Sequence, residues 1–136
     1  EAKVSAEHPD DIWLAKSGFG GTEYLLSGLF SKGTKRGLTP SAIARLVSTN
    51  PAARYGLTGK GSLEVGSDAD VVLLDPAVSF VVHAADSPSS QGYTPFEGHE
   101  LTGKVTDVWL RGARILDGGN VVGEPGGRYQ HRGPQQ

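Results

Sequence analysis

GSLEVGSDADVVLLDP, residues 61–76, is the stretch that decides the fold of this chain. Its residues 62–65 alternate in polarity, and residues 66–69 are the small and acidic residues of a tight turn. Residues 70–74 follow as an apolar run that ends at Asp75-Pro76. The pattern predicts two strands joined by a turn. Because the second strand carries four consecutive branched aliphatic side chains, we expect it to be covered on both faces.

Length and composition indicate one globular unit and give no reason to expect nucleic acid or a membrane as its partner. The chain has 136 residues, of which 37% are hydrophobic and 21% are charged, which is enough for one core. A net charge of -2 gives no electrostatic reason to expect nucleic acid or an acidic membrane as a partner. No apolar run reaches membrane-spanning length, and no signal peptide is visible. The absence of cysteine excludes disulfides and suits a cytoplasmic protein.

A glycine-rich segment, SGFGG at residues 17–21, precedes the first predicted helix. Such a loop can hold an anion at a helix N-terminus, but no Lys-Ser or Lys-Thr follows as in a phosphate-binding loop. A tight connection is therefore favoured over nucleotide binding. Gly21 is expected to need either a backbone conformation open only to glycine or a close approach to neighbouring chain. Thr22 is the predicted N-cap and Gly33 the predicted end of the helix. Its apolar positions are Leu25, Leu26, Leu29 and Phe30.

Two further helices are predicted from Thr-Pro and Asn-Pro pairs. Thr39-Pro40 combines a good N-cap with a proline at the first helical position, and Asn50-Pro51 repeats this start signal. Gly56 should end the third helix. The second helix has an apolar stripe at Ile43, Leu46 and Val47.

The C-terminal half predicts a series of short strands. A loop is expected at residues 84–92, and turns at Arg111-Gly112 and residues 117–120. Residues 124–136 are rich in Gly, Pro, Arg and Gln and predict a mobile tail. The predicted strands are 79–82, 101–110, 113–116 and 121–122.

Three blocks of sequence carry a family resemblance. Residues 61–76 follow the G-x-[IL]-x-x-G-x-x-A-D-[LIV]-[VL]-[LIV]-x-D pattern of the amidohydrolase superfamily. STNPAARYGL at residues 48–57 and TPFEGHELTGKVTDVWLRG at residues 94–112 are similar to elements of cyclic amidohydrolases. The chain thus resembles the dihydroorotase, allantoinase and hydantoinase branch. The segments TPFEG at residues 94–98 and HELTGKV at residues 99–105 are more similar to those of dihydroorotases and allantoinases than to those of dihydropyrimidinases.

The resemblance implies an α+β segment taken from the C-terminal part of such an enzyme. Residues 1–58 would be the end of the (β/α)8 TIM barrel, namely a loop and its last helices. Residues 59–123 would be C-terminal antiparallel strands of a small β-sandwich domain, and residues 124–136 a flexible tail. Because the chain begins at Glu1 and contains no Met, we expect a piece of a longer protein.

The implied activity is hydrolysis of a cyclic amide with the help of a divalent metal, expected to be zinc. In the family the metal ligands and the catalytic Asp would lie upstream of Glu1, and Glu1-Ala2-Lys3 is similar to the E-x-K that follows that Asp. We therefore expect no catalytic and no metal-binding residue in this chain, and no activity from it alone. The implied partners are a small cyclic amide, the missing N-terminal part of the same protein, and further copies in a homo-oligomer.

The candidate site residues within the chain are Ser17 and Gly18. They match the Asn-Gly of hydantoinases, whose main chain contacts the substrate ring, with Ser in place of Asn. The four histidines, His8, His83, His99 and His131, lack metal-site spacing and are interpreted as surface residues. Asp68 and Asp70 are explained by turn preference.

Two alternatives to an enzyme segment remain open. One is a non-catalytic relative that kept the fold, lost the metal ligands and acts as an assembly protein. The other is a free-standing β-rich interaction module. A Thr/Ser-Asp-His just upstream of Glu1 would favour the enzyme.

Overall fold

The computed structural model describes Trp13, Gly18 and residues 20–132. The chain divides into two compact units. Unit 1 comprises residues 1–25 and 81–100, and unit 2 comprises residues 26–80 and 101–136. Within the described residues, no helix is both long and apolar enough to cross a membrane.

The first helix, α1, spans Leu25–Thr34 and follows a 3-10 turn at Thr22–Tyr24. Thr22 is therefore not the N-cap that the sequence predicted, since it lies inside the turn and Gly21 precedes it. The predicted end is confirmed to within one residue, and the N–H of Leu38 donates to the carbonyl of Gly33 at 3.0 Å.

The predicted apolar face of α1 is only partly correct. Leu25 is 62% exposed, and Leu26, Leu29 and Phe30 are half-buried. The fully buried positions of this helix are instead small residues, which let neighbouring groups approach the backbone closely. These positions are Ser27, Ser31 and Gly33.

The next two predicted helices form one continuous helical run. Helix α2 spans Pro40–Ala44, a π-helical turn spans Arg45–Thr49, and α3 spans Asn50–Tyr55. The Thr39 cap is confirmed, because its hydroxyl accepts from the N–H of Ala42 at 3.2 Å. Asn50 is helical rather than a cap. The wider π turn accommodates the proline that follows it, whose ring would otherwise clash with the preceding turn. The predicted end at Gly56 is confirmed, with a φ of 63°.

Four strands make up the strand-rich part of the chain: β1 Val71–Val81, β2 Glu100–Leu110, β3 Ala113–Asp117 and β4 Asn120–Val121. They form one sheet in the order β1-β2-β3-β4. Strands β3 and β4 follow β2 as an antiparallel meander with one irregularity between Val108 and Trp109. The three predicted strands after residue 100 are thereby confirmed, as is the turn at Arg111-Gly112.

Two predictions around residues 61–82 are wrong. Residues 62–65 form no strand, because local bonds close a loop there: Ser62 and Ser67 share a hydroxyl hydrogen bond of 2.8 Å, and the N–H of Ser67 donates to Glu64 at 3.0 Å. Asp75-Pro76 does not end a strand either, since β1 runs through it. A proline is tolerated there because β1 is an edge strand, where a missing N–H breaks no ladder bond.

Strand β1 is also less covered than predicted. Val72 and Leu73 are each 48% exposed, so the described residues leave part of both faces open to solvent. Among the glycines of unit 2, the closest approach is at Gly103, where a Cβ would come within 2.5 Å of the Phe30 ring and 3.1 Å of the Leu74 side chain. The α+β class is confirmed, and the division at residue 58 into barrel and sandwich stays a prediction.

Candidate functional site

The glycine-rich loop in unit 1 is held by residues from the segment 81–100. Gly18 has a φ of +83°, and its carbonyl accepts a hydrogen bond of 2.6 Å from the phenol hydroxyl of Tyr93. The other candidate, Ser17, lies outside the described residues. The structure therefore places one member of the predicted pair, and shows that its main chain is anchored by a side chain distant in sequence.

A second hydroxyl holds the same loop two residues further on. The Thr94 hydroxyl, which is buried, donates to the carbonyl of Gly20 at 3.3 Å and accepts from the N–H of Phe96 at 3.3 Å. A Cβ on Gly20 would lie 3.1 Å from the Ser89 hydroxyl. The loop backbone is thus packed so closely that a side chain at residue 20 would need its neighbours to move.

The predicted glycine-only conformation at Gly21 is confirmed. Its φ is +132°, a value that L residues rarely adopt. A Cβ there would lie 3.2 Å from the Thr94 hydroxyl and 3.3 Å from the ring of Phe96. The Phe96 ring also meets the Tyr24 ring edge-on at 6.1 Å, so it packs on the turn that begins α1. Gly21 therefore combines an unusual backbone with a close approach.

The charges of unit 1 are predominantly acidic. The pKa of Tyr24 lies above its ordinary value, because of burial and then because of Glu23, Asp86 and Glu97. Glu97 accepts from the N–H of Ala84 at 2.6 Å and pairs with His83 at 3.1 Å, and these two bonds lower its pKa. Carboxylates in the unit that carries the loop argue against the phosphate-binding alternative, since they would repel the anion.

The described residues do not fit a metal site. No group of three or more His, Cys, Asp or Glu that could hold an ion occurs among them. His83 contacts Glu97, His99 meets the Phe96 ring at 6.1 Å, and His131 meets the Tyr129 ring at 4.8 Å. His8 lies outside the described residues. A metal site in the full protein would need ligands from elsewhere.

A charged cluster in unit 2 was not recognised as such from the sequence. The Lys60 ammonium contacts Asp68 at 2.8 Å and also bonds to Asp70. The second carboxylate oxygen of Asp70 accepts from the backbone N–H of Arg111 at 2.7 Å. Because the N–H of Gly112 also donates to the carbonyl of Ala69 at 2.9 Å, the start of β1 is tied to the β2–β3 turn.

The same contacts set the protonation of this cluster. Burial would raise the pKa of Asp70, but the bonds from Lys60 and from the Arg111 backbone outweigh it and lower the pKa. The bonds to Asp68 and then to Asp70 raise the pKa of Lys60. Turn preference alone is therefore too weak an explanation for Asp70, which is a structural anchor. The only indication in the sequence was a lysine ten residues before Asp70.

Comparison with known proteins defines the class of this chain. The sequence model described as the amidohydrolase family matches residues 20–119. This match covers more than half of the 136 residues, so the chain belongs to the amidohydrolase family. The matched region includes Gly20 and Gly21 of the glycine-rich loop, the Lys60 cluster and the sheet.

Individual relatives narrow the similarity to enzymes named for cyclic amides. An allantoinase of Rubrobacter xylanophilus is 38% identical over 88% of this chain and 27% of that protein. A D-hydantoinase of Geobacillus stearothermophilus is 40% identical over 79% of this chain and 23% of that protein. The structure of an L-hydantoinase (dihydropyrimidinase) from Arthrobacter aurescens matches 87% of this chain and 27% of its own, with a TM-score of 0.78 and 32% identity. The chain thus spans about a quarter of the length of these relatives.

Proposed function

We propose that this chain is the C-terminal segment of a metal-dependent hydrolase that opens a cyclic amide by breaking a ring C–N bond. The observation that carries the proposal is the family match over residues 20–119, together with relatives named as allantoinase and D-hydantoinase. In the parent enzyme, residues 1–58 would end the TIM barrel and residues 59–123 would contribute strands to a β-sandwich. The enzyme would be cytoplasmic and homo-oligomeric.

The segment's own part in the reaction would be to present the main chain of Ser17 and Gly18 to the substrate ring. Peptide groups suit a cyclic amide, because they offer both a donor and an acceptor to the same kinds of group on the ligand. The anchoring of Gly18 by Tyr93 supports this role, since a binding group must be held still to be useful. A glycine also lets the backbone approach the ring closely.

The metal would be bound by residues outside this segment, since the family resemblance implies ligands upstream of Glu1. Among the described residues, no group of three or more possible ligands occurs. When bound, a divalent ion supplies hydroxide at neutral pH and polarises the carbonyl of the ring. Zinc is the ion we expect. Residues 1–136 alone should then hold no tightly bound zinc and open no ring.

The test is a ring-opening assay on the full-length protein that carries this segment. Hydantoin, allantoin and dihydroorotate would be supplied separately, and the open-chain products measured by chromatography. We expect turnover of at least one, loss of turnover after a chelator, and recovery with a divalent ion. The segment 1–136 is the matched control and should be inactive with less than one zinc per chain. A full-length protein that carries bound metal but turns over none of the three rings would contradict the proposal. A full-length protein that lacks metal ligands upstream of Glu1 would favour the assembly-protein alternative.

A further inference from the structure

Two consecutive hydroxyl side chains reach two glycine carbonyls that lie more than seventy residues away in sequence. The Tyr93 hydroxyl donates to the carbonyl of Gly18 at 2.6 Å, and the Thr94 hydroxyl donates to that of Gly20 at 3.3 Å. The first distance is short for an O–H···O bond, and the second is long. All four residues belong to unit 1.

The described residues show little packing around Gly18. Apart from its chain neighbours, none of them has a heavy atom within 4 Å of the position that a Cβ on Gly18 would take. Its φ of +83° lies in a region that residues other than glycine rarely adopt. Glycine populates negative φ values about as readily, so the backbone alone does not hold Gly18 in this conformation. The bond from Tyr93 fixes the direction of the carbonyl and so restricts rotation of the peptide group at the candidate substrate contact.

We propose that Tyr93 is a positioning residue for substrate binding, with Thr94 as the second anchor of the same loop. This rests on the proposed function, because it assumes that the main chain at residues 17–18 meets the cyclic amide. A preorganised loop binds ground state and transition state alike, so its loss should raise KM and leave kcat nearly unchanged. The effect should be about three- to tenfold, the size expected for one net hydrogen bond.

The experiment compares Tyr93→Phe with wild type in the full-length enzyme, on whichever of the three rings the wild type opens. Phenylalanine keeps the ring and removes only the donor. We expect KM to rise about three- to tenfold, with kcat within about twofold and an unchanged zinc content. Tyr129→Phe, which removes the hydroxyl of an exposed tyrosine in unit 2, is the matched control and should leave both constants unchanged.

The second anchor gives an independent arm with a built-in rescue. Thr94→Val removes the hydroxyl at nearly constant volume and should raise KM. Thr94→Ser keeps the hydroxyl and should have the KM of the wild type. Unchanged KM in Tyr93→Phe, a fall in kcat at constant KM, or a lowered unfolding midpoint with normal KM would each overturn the proposal. A wild type that opens no ring would defeat the proposed function itself, and the role of Tyr93 would fall with it.

Discussion

The glycine-rich loop of unit 1 and the start of β1 in unit 2 are held by different kinds of hydrogen bond. In unit 1, neutral hydroxyls of Tyr93 and Thr94 donate to glycine carbonyls, and the charged residues are mostly exposed. In unit 2, the Lys60 side chain is only 13% exposed, and its ammonium bridges two carboxylates, one of which also accepts a backbone N–H. Charge-assisted bonds are roughly twice as strong as neutral ones. Unit 2 therefore has the chemistry of a rigid scaffold, whereas the glycine-rich loop of unit 1 is held in place by weaker, neutral bonds.

The largest effect that would test this contrast is expected at the tightest glycine of unit 2. Gly103→Ala would combine a φ of +96° with a Cβ placed 2.5 Å from the Phe30 ring. Strain and overpacking together should lower the free energy of unfolding of the full-length protein by about 3 kcal/mol, measured by denaturant titration. Gly118→Ala is the control, because its φ is +54° and nothing lies within 4 Å. It should cost about 1 kcal/mol, and equal losses in the two variants would show that the packing contributes nothing.

The equivalent change in unit 1 should cost less. Gly21→Ala meets a φ of +132°, but its nearest neighbours are side-chain atoms of Thr94 and Phe96 at 3.2 and 3.3 Å, which can move by a few tenths of an ångström. We expect a loss of about 2 kcal/mol in the same titration. Gly92→Ala, with a φ of +66° and open space around it, is the control. A loss as large as that of Gly103→Ala would mean that the loop is as rigid as the scaffold.

The same contrast decides what the sequence could predict. The Thr39 cap, the turns at residues 111–112 and 117–120, and the three strands they connect are local, so short-range patterns were sufficient. The prediction of a strand at residues 62–65 was wrong because four alternating residues are too few to outweigh the hydrogen bonds of the turn around Ser67. The prediction that a strand ends at Pro76 was wrong because proline is tolerated in an edge strand, and only the whole sheet shows which strand lies at its edge.

The candidate site was predictable only in part for the same reason. The need for glycine at Gly21 follows from its place in the glycine-rich loop, and the structure confirms it. No spacing rule connects Gly18 with Tyr93, since the two residues are brought together only by the fold of unit 1. The ring contact of Ser17 and Gly18 came from family resemblance and stays a prediction.

The smallest of the expected effects concerns the charged anchor of unit 2. Asp70→Asn keeps an oxygen for the Arg111 N–H but removes the charge that faces Lys60. Because the site is partly exposed and Lys60 retains Asp68, we expect a loss of only about 1 to 2 kcal/mol at pH 7. Asp75→Asn is the matched control, since its bond to the N–H of Ala77 can be kept by an amide oxygen, and it should change stability by less than about 0.5 kcal/mol.

The pH dependence of that difference separates charge from packing. The pKa of Asp70 is lowered below its ordinary value of about 3.9, so its contribution is present above pH 4 or so and is lost as the pH falls through the folded pKa. The pKa of Lys60 is raised above about 10.4, so its contribution is complete below that pH and is lost as the pH rises through the higher folded value. The gap between wild type and Asp70→Asn should therefore stay constant from about pH 5 to pH 10 and close as the pH falls through the lowered pKa of Asp70. If urea titrations at acid pH found the gap undiminished, the asparagine would be acting through geometry, and unit 2 would owe its anchor to shape and not to charge.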